Sequence, residues 1–135
     1  MKDIKFLCHY DNSIKNVKLS YAAVNKLNYI FNVLVNDDCK VNVISTRVST
    51  GKAYIKGEEK NIGENLLLRT FNSISNGNFF KRAVKRSYIF LQLKRYLKKH
   101  IEPKDVIIAY HSLDFCKLYR WIKQKLKAKI NLEVE

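Results

Sequence analysis

The chain has 135 residues, enough for one domain with its own core and too few for two. Hydrophobic residues make up 47% of it and only 4 Gly and 1 Pro occur, which excludes disordered, collagen-like and linker-rich proteins. Because 26 Lys and Arg face 12 Asp and Glu, a formal charge of +14, we expect an anionic partner: nucleic acid, an anionic membrane surface or a phosphorylated ligand.

The cysteines Cys8, Cys39 and Cys116 are widely spaced and form no zinc-binding pattern. We therefore expect three reduced thiols in a reducing compartment and no metal site. The N-terminal apolar run is too short for a signal peptide, and no segment reaches the ~20 apolar residues of a membrane span. These features predict a cytoplasmic protein, with peripheral attachment to the inner face of the cell membrane left open.

The hydrophobic pattern predicts strands that alternate with helices. In chain order the predicted elements are a strand at 4–9, a helix at 19–35, a strand at 40–45, an irregular segment at 46–64 with a small strand at 53–55, a strand at 65–71, a turn at 73–78, a helix at 79–100, a strand at 105–110, a helix at 113–128 and a strand at 129–135. Ser20 and Asn78 are the expected N-caps of the first two helices. This order predicts an α/β fold, a Rossmann-like, mostly parallel sheet with helices on both faces.

Ligands of such sheets bind outside the carboxyl ends of the strands. The candidate side chains at that edge are His9, Asn16, Ser20, Tyr110, His111, Ser112, Glu133 and Glu135. His111 directly follows a predicted buried strand, where an imidazole can donate or accept a proton at neutral pH. A surface or helix-capping histidine is the alternative there, and His100, at a helix end, is expected to be structural.

The loop after the first predicted strand, residues 9–18, contains no glycine. Dinucleotide and P-loop motifs need glycines at this point, so that backbone amides can approach the phosphates. NAD, FAD and P-loop nucleotides are therefore not expected as cofactors. Ser13, Asn16 and Ser20 could still offer donors beside a helix N-terminus, and an ordinary polar loop is the alternative.

The predicted helix at 79–100 carries much of the positive charge. Its cations are Lys81, Arg82, Lys85, Arg86, Lys94, Arg95, Lys98 and Lys99, and all except Arg86, which intrudes on the apolar arc, are the candidates for contact with a membrane surface. Its predicted core-facing arc comprises Phe79, Ala83, Phe90, Leu93 and Leu97, while Phe80, Val84, Tyr88 and Leu91 are interleaved with the cations. This mixture suits anionic lipid, and an ordinary solvated face is the alternative.

Two other classes of protein are weighed against the sequence. A basic nucleic-acid-binding α/β module remains the alternative function, although no helix-turn-helix, RNP or zinc-finger pattern occurs and no nucleic-acid partner is expected. A receiver-like domain ranks last, because Asp11 stands alone in the first loop and no Asp follows the third predicted strand.

Several strings resemble the N-terminal domain of bacterial family 4 glycosyltransferases, enzymes of the GT-B fold from capsule and polysaccharide assembly. The strings are LSYAAVNKLNYIFNVLVNDDCKVNVIS, DVIIAYHSLDF and INLEVE, which look like that family's first helix and second strand, its fourth strand with the following loop, and the start of a Leu-Glu-Val-Glu-Glu stretch. Their order and spacing follow the family over most of the chain apart from residues 46–78.

The resemblance implies a hexosyltransferase that moves a sugar from a nucleotide sugar to a saccharide or polyprenyl-linked acceptor, without a further cofactor. Residues 1–135 would form the acceptor-side domain, a fragment inactive without the C-terminal domain that binds most of the donor. His111 matches the family's histidine that faces the transferring sugar, and Glu133 and Glu135 match its acidic pair. The glycine-free first loop departs from the family pattern, so the resemblance does not carry the usual contact with the donor pyrophosphate over to this chain, although it leaves the fold unaffected.

Overall fold

A computed structural model describes residues 1–13, 15–50, 54–74, 77–110 and 115–133. In chain order its elements are β1 (Lys2–His9), α1 (Tyr21–Asn36), β2 (Cys39–Thr46), β3 (Glu59–Gly63), β4 (Leu66–Thr70), α2 (Phe79–His100), β5 (Val106–Tyr110), α3 (Cys116–Trp121), a π-helical segment (Ile122–Leu126) and β6 (Lys129–Glu133). This order confirms the predicted alternation of strands and helices.

The six strands form one sheet in the order β3-β4-β2-β1-β5-β6. All neighbouring pairs are parallel except the β3–β4 hairpin. The chain moves outward from β1 to one side through β2 and β4, and then to the other side through β5 and β6. The order therefore reverses between β1 and β5, which is where ligands of such sheets bind.

The core lies in two layers, one on each face of the sheet. On one face α1 buries Val24, Leu27 and Phe31 against β1, β2 and β4. On the other face α2 and α3 pack on the sheet, and the buried side chains there include Leu93 and Leu118. Helices on both faces of a mostly parallel sheet confirm the predicted fold class.

α1 packs on the sheet through Val24, Leu27 and Phe31, and the Phe31 ring lies edge-on to Phe6 with 5.0 Å between the ring centroids. These large side chains fill the space over β1.

In α2, the prediction that Phe79 and Ala83 face the core is wrong. Residues 79–88 are all exposed, and the buried side chains are Ile89, Leu93 and Leu97. The apolar residues of the first half of α2 therefore lie on the surface. We call residues 79–88 the exposed half of α2.

The segment at 46–64 also differs from the prediction. Among its described residues, Glu59–Gly63 forms β3, antiparallel to β4, while Tyr54 and Ile55 belong to no strand. The apolar content of β3 is low because both its faces are partly exposed at the sheet edge. The predicted helix at 113–128 is shorter, since α3 passes into the π-helical segment at Ile122.

Candidate functional site

A cavity of about 300 Å³ opens at the carboxyl ends of β1 and β2, beside the exposed half of α2. Its lining residues are His9, Thr46, Val48, Ile74, Phe79, Arg82, Ala83, Arg86, Ile89 and Phe90. The polar side chains at its floor come from the ends of two neighbouring parallel strands, and the cations come from the helix. The volume lies within the range of small-molecule sites, about 300–1,000 Å³.

His9 is the last residue of β1 and faces this cavity. Its Nδ1 lies 2.8 Å from the Thr46 hydroxyl and 3.2 Å from the Thr46 carbonyl oxygen, because β1 and β2 are in register at this pair. The imidazole also stacks on Phe115, with 4.8 Å between the ring centroids. These contacts hold the ring in one orientation at the cavity floor.

The exposed half of α2 brings positive charge to the cavity through Arg82 and Arg86. The Arg86 guanidinium also lies 6.0 Å from the centroid of the Phe90 ring. The first turn of α2 contains no acidic residue, although the N-terminal end of a helix carries partial positive charge. Cations in this position are stabilised by an anion nearby, so the arrangement is suited to an anionic ligand or surface.

A buried ion pair supports the floor of the cavity. Asp11 Oδ2 accepts a hydrogen bond from Arg47 Nη1 at 2.8 Å, and both side chains are almost fully buried. The same guanidinium donates to the carbonyl oxygens of Phe71 and Lys56. Arg47 thus ties together the segments that follow β1, β2 and β4.

Tyr10 lies between this ion pair and α1. Its backbone N–H donates to Ser45 Oγ at 2.7 Å, and its hydroxyl donates to Asn28 Oδ1 at 2.6 Å. Burial, followed by the charges of Cys8 and Asp11, raises the pKa of Tyr10 to about 12. Burial also raises the pKa of the Cys8 thiol far above its usual range, so that thiol is unreactive in the folded state.

The structure places three other predicted site residues away from the cavity lining. Asn16 has a positive φ of 64° in an exposed turn, and its carbonyl oxygen accepts from Thr50 N at 2.9 Å. Ser20 is the N-cap of α1, as expected, with its hydroxyl accepting from Ala23 N. Tyr110 ends β5, and its ring lies 5.5 Å from Lys26 Nζ.

The structure describes no side chain for four predicted site residues. His111, Ser112 and Glu135 lie outside the described residues. Glu133 ends β6 opposite Tyr110, and its side chain is not described.

The cations predicted to meet a membrane divide into two groups. Lys81, Arg82 and Lys85 lie on the exposed half of α2. The remaining four, Lys94, Arg95, Lys98 and Lys99, lie on the half that packs on the sheet, and Lys94 Nζ is 5.6 Å from the Trp121 ring. Lys98 and Lys99 lie in the last turn, at the helix end that carries partial negative charge. That partial charge stabilises them without a further partner.

Thr46, Arg47 and Phe115 were not predicted as parts of the site. For the first two, a signal existed in the sequence: both follow the strand predicted at 40–45, and the ends of neighbouring parallel strands meet. No sequence pattern indicates Phe115, because its contact with His9 depends on how α3 packs against the end of β1.

Within the described part of the chain, no helix is long and apolar enough to cross a membrane. The same residues contain no group of three or more His, Cys, Asp or Glu side chains suited to a metal ion.

The overall architecture is similar to that of solved glycosyltransferases. A trehalose-6-phosphate synthase from E. coli, bound with UDP-2-fluoro glucose, matches with a TM-score of 0.59 at 9% identity over 97% of this chain and 32% of its own. A UDP-forming α,α-trehalose-phosphate synthase from Burkholderia vietnamiensis matches with a TM-score of 0.60 at 9% identity over 98% and 34%. One from Burkholderia multivorans matches with a TM-score of 0.56 at 8% identity over 98% and 32%.

These matches show the fold, a Rossmann-like α/β domain of the kind found in GT-B enzymes. The chain spans about a third of the length of the solved structures that it matches. No protein-family model and no curated protein matches the sequence.

Proposed function

We propose that the chain is the acceptor-side domain of a glycosyltransferase, which moves a hexose from a nucleotide sugar to a saccharide or lipid-linked acceptor in polysaccharide assembly. The observation that supports this most directly is the cavity at the carboxyl ends of β1 and β2, on a fold shared with glycosyltransferases. Its mixture of apolar walls with His9, Thr46 and arginine side chains suits a sugar that presents both hydroxyls and an apolar ring face.

The nucleotide sugar is expected to be held mainly by a second domain. The chain corresponds to about a third of the matched structures, one of which is bound with UDP-2-fluoro glucose. The loop after β1 contains no glycine, so backbone amides have no unusual access to a pyrophosphate there. His111, by resemblance, faces the transferring sugar and stabilises charge as the glycosidic bond forms.

The test is hydrolysis of nucleotide sugars by the product of the complete reading frame. UDP-glucose, UDP-N-acetylglucosamine and GDP-mannose serve as probes, and release of the nucleoside diphosphate is measured without an acceptor. His111→Ala should lower the rate about 100-fold or more, as removal of a group that stabilises developing charge does. His100→Ala is the matched control. His100 Nδ1 lies 2.8 Å from the Tyr96 carbonyl oxygen in the last turn of α2, and His100 does not line the cavity, so this substitution should leave the rate unchanged.

Failure to hydrolyse any of the three probes above the buffer rate would overturn the proposal. So would a His111→Ala variant that keeps the full rate of a hydrolysing wild-type protein.

We further propose that the exposed half of α2 binds an anionic membrane surface at the cytoplasmic face, where a polyprenyl-linked acceptor would lie. Phe79 and Phe80 are 85% and 73% exposed, and Val84 and Tyr88 are also exposed among the cations. Insertion of such rings at the level of the lipid headgroups, together with attraction of lysine and arginine to anionic lipid, stabilises peripheral binding.

Co-sedimentation with vesicles tests this attachment. Reversing two charges in Lys81→Glu/Lys85→Glu should lower the partition to phosphatidylglycerol vesicles more than tenfold, since each cation contributes about 1 kcal/mol. Lys123→Glu/Lys125→Glu makes the same change of charge on the π-helical segment, where both residues are exposed, and should lower it far less. Equal binding to neutral phosphatidylcholine vesicles, or preference for duplex DNA at the same salt concentration, would contradict the attachment.

A further inference from the structure

A second, open groove of about 370 Å³ lies between the end of β4 and the middle of α2. It shares no lining residue with the cavity at the ends of β1 and β2. Three cationic side chains line it, those of Lys56, Arg69 and Arg95, and no carboxylate does. This balance of charge favours an anionic occupant.

Arg69 is held in place by aromatic rings. Its guanidinium carbon lies 5.5 Å from the centroid of the Phe71 ring and 5.4 Å from that of Tyr96. The nearest carboxylate oxygen described is Glu59 Oε2, 4.0 Å from Arg69 Nη1 in a partly exposed pair of the kind that contributes little. The stacking fixes the direction of the N–H groups before any ligand arrives, which reduces the entropy lost on binding.

The Arg69 Nε atom is buried and has no hydrogen-bond acceptor among the described residues. A buried N–H without an acceptor is costly, and such groups are rare in folded proteins. Because that atom is buried, a ligand in the groove meets the outer Nη groups of this partly exposed guanidinium instead, and a planar guanidinium is well matched to a phosphate group.

Other groups of the groove narrow the class of ligand. The Asn72 side-chain oxygen accepts from Gly57 N at 2.8 Å, which leaves its amide N–H groups as donors. The Tyr96 ring already contacts Arg69 and stacks on His100 at 4.1 Å. The groove therefore offers donors and cations rather than an open ring face on which a nucleobase could stack.

We propose that this groove is a phosphate-binding site for a small phosphorylated metabolite, such as a sugar phosphate, and that it is separate from the acceptor cavity. Arg69 and Arg95 contact the phosphate oxygens, and Asn72 and Lys56 complete the set of donors. A volume of about 370 Å³ accommodates a molecule of that size. The site does not depend on the transfer reaction proposed above.

Titration of the ¹⁵N-labelled chain with inorganic phosphate, glucose 6-phosphate and glucose tests the site by NMR. The Arg69 Nε–H signal, assigned by its loss in Arg69→Lys, should shift saturably with the two phosphates and stay in place with glucose. Arg95→Gln should raise the dissociation constant about tenfold, because it removes a charge-assisted hydrogen bond. Arg82→Gln is the matched control, with the same change of charge on the same helix.

A shift that chloride reproduces at equal ionic strength would overturn the proposal, since it would reflect screening rather than a site. Equal weakening by Arg95→Gln and Arg82→Gln would overturn it as well, because the binding would then follow net charge alone. Neither result bears on hydrolysis of nucleotide sugars, so the two proposals fail independently.

Discussion

Asp11 and Arg47 follow the two strands that carry His9 and Thr46 to the cavity. Both side chains are buried, at 5% and 2% exposure, and Arg47 also donates to two backbone carbonyls. A buried guanidinium is tolerated only when its charge and its N–H groups are satisfied. The pair is therefore part of the framework that orients the cavity floor rather than a group free to contact substrate.

We expect Asp11→Asn to lower the free energy of unfolding by about 3 kcal/mol, because it leaves Arg47 buried without a counter-charge. Glu58→Gln is the control, since the Glu58–Lys60 pair is partly exposed and its loss should cost less than about 1 kcal/mol. Urea unfolding followed by circular dichroism measures both. Equal losses in the two variants would show that Asp11 does not hold the Arg47 charge.

The raised pKa of the Tyr10 hydroxyl makes the free energy of unfolding depend on pH in the alkaline range. Its pKa is raised from 10.0 to about 12 in the folded state, mainly by burial, so the unfolded chain loses this proton first. Its contribution is complete below pH 10 and is lost as the pH rises through about 12. Urea unfolding at pH 9 and at pH 11 should show a smaller decrease for Tyr10→Phe than for the wild type, and parallel decreases would contradict this assignment.

At the scale of elements, Gly57 allows the segment before β3 to pass close to the end of β4. A Cβ atom at Gly57 would lie 2.6 Å from the Thr70 carbonyl oxygen and 2.9 Å from the Phe71 backbone. Both neighbours are main-chain atoms, so relief requires the strand ends to move apart. The close approach also brings Gly57 N within hydrogen-bond distance of Asn72.

Gly57→Ala should therefore lower the free energy of unfolding by about 1–3 kcal/mol, as overpacking of a fixed backbone does. Gly77→Ala is the matched control, because a Cβ atom there would meet nothing within 4 Å. Differential scanning calorimetry compares the two. A Gly57→Ala variant as stable as Gly77→Ala would show that the β4 end can shift at little cost.

The two long helices show which features of an element can be predicted from its own residues. The bounds of α1 and α2 follow from their hydrophobic spacing and from Ser20 and Asn78, whose side chains cap them as expected. Which face is buried does not follow, because it depends on how far each helix extends past the sheet. Phe79 fits a core position by spacing, but it is exposed on the surface.

At the scale of the whole molecule, the charge of +14 acts as self-repulsion in the folded state. Raising NaCl from about 20 mM, where the Debye length is roughly 20 Å, to about 0.3 M should therefore raise the melting temperature by a few degrees. Lys81→Glu/Lys85→Glu changes the charge by −4, from +14 to +10, and should reduce that rise. A melting temperature that falls with salt would mean that attractive ion pairs dominate instead.

The positive charge is also unevenly distributed. It is concentrated along α2, where the N-terminal cations lie at the helix end that disfavours them and the C-terminal ones at the end that favours them. This asymmetry favours anionic partners at the exposed half of α2 and at the cavity beside it. The groove at Arg69 adds a third cationic surface on the same helix.

The fold class and the order of most elements could be predicted from the residues alone. Those properties depend on local periodicity and on the connections between strands, which neighbouring residues encode. Three features depend on the folded chain: β3 pairs with β4, Arg47 neutralises Asp11, and the exposed half of α2 forms a wall of the cavity. Each of these is a contact between residues distant in the chain, whose meeting depends on packing distances that no local pattern records.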